Sequence, residues 1–154
     1  MPNLWIVIIG WIFIFGGIFF FFKQKLTNNL ANNSLPKIIN YFIIALPVTL
    51  IEEFFTCEIG YLMCLGVIVP IFLGVFFILF FIQYFTKLNY LVYSSLFALF
   101  GLFNEFIIVD RIHNPLYANF TMAQWILLAI ITLLIYFVMA ILPTYYLQRK
   151  LKKQ

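Results

Sequence analysis

Residues 38–86 read IINYFIIALPVTLIEEFFTCEIGYLMCLGVIVPIFLGVFFILFFIQYFT, without a single lysine or arginine. Crossing the hydrocarbon of a bilayer takes about 20 mostly apolar residues as a helix. This stretch is too long for one crossing, and Glu58-Ile59-Gly60-Tyr61 divides it into two, residues 38–57 and 62–85, joined by a tight turn. The same reading extends outward. A span over residues 4–22 is stopped by Lys23 and Lys25, one over 88–109 is closed by Asp110-Arg111, and one over 122–147 ends in Gln148-Arg149-Lys150-Leu151-Lys152-Lys153-Gln154. The expected fold is therefore all-α: a single polytopic domain over residues 1–154, built as a bundle of five transmembrane helices. Alternating strands are absent from the pattern, and an open strand could not satisfy its backbone in lipid.

Composition agrees. Hydrophobic residues make up 66% of the chain, aromatic ones 21% and charged ones only 9%, where a soluble domain carries about 25% charged residues. That excludes a soluble globular domain, a disordered chain and a nucleic-acid partner. The net charge of +4 matters only through its placement. Basic residues near span ends collect on the cytoplasmic side. With the N-terminus outside and the C-terminus cytoplasmic, Lys23, Lys25, Lys37, Lys87, Arg149, Lys150, Lys152 and Lys153 fall inside, and only Arg111 falls outside. Tyr41, Tyr84, Tyr90, Tyr145 and Tyr146 then lie near the inner boundary, with Trp5, Tyr61, Tyr117 and Trp125 near the outer, as an aromatic belt requires. The polar segment 24–36 reads as a loop. The expected location is a cell or cytoplasmic membrane, with the bilayer as first partner and a second copy or a membrane subunit as a further one.

The acidic residues carry the functional signal. Glu52, Glu53, Glu58, Glu105 and Asp110 are all that the chain has, and each lies in a span or at its end. A charged side chain at the helix centre costs ~2.5–3.5 kcal/mol even on a lenient insertion scale, and intramembrane carboxyls usually face a bundle interior or a wet cavity. The second and fourth spans both run outward, so Glu52, Glu53 and Glu105 lie within about two turns of the outer boundary. Ser94, Ala98, Gly101 and Glu105 share one helical face, whose small residues admit a close neighbour. Thr49, Glu53 and Cys57 form one column and Thr49, Glu52 and Thr56 the next, with Glu52 and Glu53 ~100° apart. That separation predicts that one of the pair faces the bundle while the other looks along a helix interface or upward. Carboxyls so close in poor solvent need a proton, a cation or Arg111 to balance them. The competing reading has Glu52, Glu53 and Glu58 snorkelling to the headgroups and Glu105 bonding across helices.

Pro47 and Pro70 release the carbonyls of Ile43 and Gly66, and such breaks line cavities in transporters. Gly66, Pro70 and Gly74 recur every fourth residue, which predicts a groove against a neighbouring helix. Cys57 and Cys64 flank the turn between the second and third spans. A disulfide there would staple the hairpin in an oxidising compartment, but the spacing is no redox motif and free buried thiols are expected. No metal site is expected from Cys57, Glu58, Cys64 and His113, and no cofactor, since no phosphate loop or dinucleotide fingerprint occurs.

The run Glu52-Glu53-Phe54-Phe55 resembles the intramembrane Pro-x-Glu-Glu-x-x-Phe-Phe signature of heterodimer-type lycopene cyclases, in which a glutamate is thought to protonate a carotenoid. Pro47 stands five residues before Glu52 where that family has two, and the resemblance covers under ten residues. The Glu-Glu pair is also similar to that of CAAX-protease-like membrane proteins, whose following Arg and later His-bearing helices are missing here.

The expected function is transport or binding of a cation, a proton-coupled solute or a small ligand, at an outer-side site among the second to fourth spans. Its ligand-binding candidates are Thr49, Glu52, Glu53, Thr56, Asn104 and Glu105. The first alternative is a membrane enzyme acting on an isoprenoid or carotenoid, with Glu52, Glu53 or Glu105 as catalytic acid. The second is an assembly or scaffold subunit of a membrane complex.

Overall fold

A computed structural model describes residues 4–57, 61–108, 111–113 and 115–152 of the chain. Among these residues there is no strand. Helix α1 runs through Leu4–Ile6, a π-helical Val7–Phe15 and Gly16–Asn32; α2 is Lys37–Thr56 and α3 is Tyr61–Thr86. Helix α4 is Tyr90–Phe103, continued by the π-helical Asn104–Ile108, and α5 is Met122–Lys152. All five are long and apolar enough to cross a membrane. Their outward side chains are large and apolar: Phe13, Phe21, Leu62, Phe85 and Met122 are each at least 70% exposed. In water so much exposed apolar surface would drive aggregation, whereas lipid accepts it.

Local chemistry starts and stops the helices. Thr121 and Gln124 form a reciprocal cap on α5, the Gln124 Oε1 accepting from Thr121 N at 2.8 Å and the Thr121 Oγ1 from Gln124 N at 3.4 Å. The Asn89 side chain accepts from Leu91 N at 3.0 Å and caps α4. Lys87 ends α3 in a left-handed conformation at φ 53°. The Tyr93 hydroxyl then accepts from Leu88 N at 2.7 Å and pairs with Thr86, locking the α3–α4 turn.

Helix α5 is the axis of the bundle and packs against each of the other four. Gly16 lets α1 approach it closely, because a Cβ there would lie 2.9 Å from Val138, and the Trp11 indole donates to the Ile135 carbonyl at 3.2 Å. Gln83 of α3 donates to the Thr144 carbonyl at 2.7 Å, and Ser94 of α4 pairs with the Thr144 hydroxyl at 3.1 Å. The core around these contacts is aromatic, with Phe76 stacked on Phe97 at 4.4 Å and Tyr41 edge-on to Phe80 at 5.3 Å.

Several expectations change. Residues 24–32 continue α1 instead of forming a loop, because the last turns of α5 hold them: Arg149 donates to Gln24 O and Asn28 Oδ1, and Lys150 to Ala31 O and Asn33 O. Helix α5 itself runs to Lys152, five residues past its expected end. Tyr41 and Tyr146 are wholly buried and belong to the core rather than to an aromatic belt. The Gly66–Pro70–Gly74 stripe makes no groove: it faces out of the bundle, and a Cβ at Gly66 or Gly74 would meet nothing within 4 Å. Pro47 is exposed as well, and neither proline lines the cavity described below.

Candidate functional site

Consecutive helices run in opposite directions, so Val7, Glu53, Cys64, Asn104 and Gln124 come together at one end of the bundle. There they surround a cavity of about 590 Å³. Five of the six candidate residues line it: Glu52, Glu53, Thr56, Asn104 and Glu105. Thr49 does not. It is fully buried one turn deeper, its hydroxyl donating to the Ala45 carbonyl at 2.9 Å. Glu58 and Asp110 lie outside the described residues, and His113 is exposed in the short 3-10 turn Arg111–His113.

Glu52 and Glu53 both line the cavity, whereas their angular separation predicts that only one faces the bundle and the other looks along a helix interface or upward. They are 2% and 3% exposed, because α1 and α3 close over the end of α2 on both sides. Thr56, one turn above Glu52, donates to its Oε1 at 2.8 Å and to its carbonyl at 3.1 Å. Glu52 Oε2 is buried and has no hydrogen-bond partner. Glu105 stands on the π-helical turn that ends α4, and the Tyr136 hydroxyl of α5 donates to its Oε1 at 2.6 Å. Single π-turns widen a helix locally and recur at functional positions. The three carboxyls share one cavity although they come from two helices.

The site also draws on α5, beyond the expected second to fourth spans: Thr132, Ile135 and Tyr136 line it. Tyr136 reaches Glu105 only because residue 101 is glycine. A Cβ there would lie 2.1 Å from Cγ of the Tyr136 ring. Phe72 packs on the same ring at 5.3 Å and gives the cavity an aromatic floor. A signal for this helix does exist in the sequence: Thr132, Tyr136, Ala140 and Thr144 recur every fourth residue of the last span, and all four are buried.

Cys57 and Cys64 are joined by a disulfide, with Cα atoms 6.3 Å apart, in place of the expected free thiols. The neighbouring ends of α2 and α3 bring them together at the cavity rim. A Glu53 carboxylate oxygen and the two sulfurs lie within 4.8 Å of one another. Sulfurs bonded to each other present no thiolate, so this group is a staple beside a carboxylate and not a metal centre. Comparison with known protein families, with characterised proteins and with solved structures finds no match.

Proposed function

We propose that the chain is a multi-pass membrane protein with its N-terminus outside and its C-terminus in the cytoplasm, and that the carboxylate cavity, on the outer side, binds a cation, a proton-coupled solute or a small ligand for transport or sensing. One observation carries this reading: Glu52, Glu53 and Glu105, from two helices, turn inward onto one cavity instead of snorkelling to the headgroups. Burying Glu52 and Glu53 beside a half-buried Glu105 in a largely apolar cavity is costly unless something positive or protonated shares it. The orientation follows the basic residues, since Lys23, Lys87 and Lys150 sit at the opposite end from the cavity. The site draws on all five helices, so the chain has a binding cavity of its own, as a scaffold subunit would not need.

The test uses purified protein in detergent, with Glu53→Gln and Glu105→Gln made singly and together. A ligand binding only the folded state raises stability by about 2.7 kcal/mol at a hundredfold excess over Kd. The melting temperature of the unsubstituted protein is expected to shift with pH or with added sodium, and the double variant is expected to lose that shift. Equal responses in both would remove the carboxylates from any binding role.

A second reading, a lipid-phase enzyme, draws on Phe72 and Tyr136 beside Glu52. Aromatic faces stabilise carbocations, and a buried glutamic acid is a proton donor for a polyene. Lipid extracts of expressing cells would then change in isoprenoid pattern, and those of a Glu52→Gln strain would not.

A further inference from the structure

We propose that the occupant of the cavity is a protonated organic amine with an apolar body, its ammonium group held by Glu52 and its hydrocarbon lying against α3 and α5. This rests on the cavity being a binding site and names the ligand class that its walls select.

The cavity is larger than a bare ion fills. About 590 Å³ is roughly twenty times a water molecule's share of liquid volume. It falls in the range of about 300–1,000 Å³ in which proteins hold small organic molecules. The walls are strongly asymmetric. Val67, Ile68 and Ile71 of α3 and Leu127, Leu128 and Ile131 of α5 line its apolar part, with Val67, Ile71 and Leu127 half-exposed, while the carboxyls gather at the end of α2 and the π-turn of α4. Among the described residues lining the cavity none is Lys, Arg or His, so the polar end is acidic and selects a positive head. Phe72 and Tyr136 add ring faces at the cavity floor that suit an ammonium.

Glu52 narrows the choice of head. Its Oε1 takes the Thr56 hydroxyl, while Oε2, equally buried, has no hydrogen-bond partner. A buried carboxylate oxygen is completed by a hydrogen-bond donor or by a coordinated cation. A primary or secondary ammonium supplies one. A quaternary ammonium does not, and sodium or potassium coordinates the oxygen but leaves the apolar half of the cavity unfilled. An alcohol donates a hydrogen bond but brings no positive charge to Glu52.

The test is calorimetric titration of the full-length protein in lipid nanodiscs against three probes that share a 4-phenylbutyl body: 4-phenylbutylamine, 4-phenylbutyltrimethylammonium and 4-phenylbutan-1-ol. Empty nanodiscs correct for partition. The amine is expected to bind at least tenfold more tightly than the alcohol and severalfold more tightly than the quaternary salt. Glu52→Gln, which preserves shape and leaves Thr56 a partner, should abolish the preference for amine over alcohol. Leu128→Trp tests the apolar half without touching a carboxylate and should weaken the amine tenfold or more. An alcohol binding as tightly as the amine, or a preference unchanged in Glu52→Gln, overturns the assignment. Should no probe discriminate while sodium or pH still shifts the melting temperature through Glu53 and Glu105, the amine is refuted and the cation site stands. Should neither respond, both readings fall.

Discussion

Gly101 shows how much one side chain decides. It leaves room for the Tyr136 ring, and the ring places a hydroxyl 2.6 Å from Glu105 Oε1. Any Cβ at that position must push the ring aside, and overpacking of this kind costs about 1–3 kcal/mol. Gly101→Val is therefore expected to lower the melting temperature and detach Tyr136 from Glu105. Gly74→Val, on a face where a Cβ meets nothing within 4 Å, should change stability by less than about 0.5 kcal/mol. A comparison of the two in detergent checks the difference, and equal losses would contradict the packing. The carboxyls of this site were legible in the sequence because charge is expensive in lipid, so their depth and shared direction marked them. Tyr136 was not, because one tyrosine in a chain that is 21% aromatic carries no mark of its own. Only the spacing from Thr132 to Thr144, read against the small face Ser94–Ala98–Gly101 of α4, would have paired it with Glu105.

Among the elements, α5 organises the rest, and sequence reading understated it. Its apolar run fixes a span but says nothing of how many neighbours it meets. The same limit applies at its basic end. Lys23 and Lys25 look like the stop of α1, yet lysine stems lie along a helix surface with their ammonium groups in the headgroup layer, and the helix continues. Arg149 and Lys150 then hold the continuation through the Asn28 side chain and the carbonyls of Gln24, Ala31 and Asn33. Arg149→Ala with Lys150→Ala is expected to fray residues 28–32, raising amide exchange there about tenfold, the equivalent of ~1.4 kcal/mol. Exchange in α2 near Glu52 should be unchanged. If the end of α1 stays protected, the tail of α5 is not what orders it. The disulfide is a third case. Cysteine spacing alone does not reveal bridge geometry, and only the hairpin shows that Cys57 and Cys64 face each other.

For the whole molecule, five apolar helices were legible from hydropathy and turn signals, because a bilayer leaves the backbone few alternatives. The cavity was not, because its volume depends on how α3 and α5 splay at the cysteine end while the aromatic core closes the other. What joins fold to function is the direction and the charge of that cavity. Both are read by a cysteine at Leu128, within it, in a chain whose native Cys57 and Cys64 are already joined. Proteoliposomes sorted for one orientation are treated from either side with membrane-impermeant thiosulfonates carrying a positive or a negative head. Asn119→Cys and Asn29→Cys, both at exposed positions, report the two faces. The residue at 128 should react from the Asn119 side only, at least tenfold faster with the cationic reagent, and Glu52→Gln should reduce that preference. Reaction from the Asn29 side, or equal rates for both reagents, would contradict an outward-facing cavity that selects positive charge.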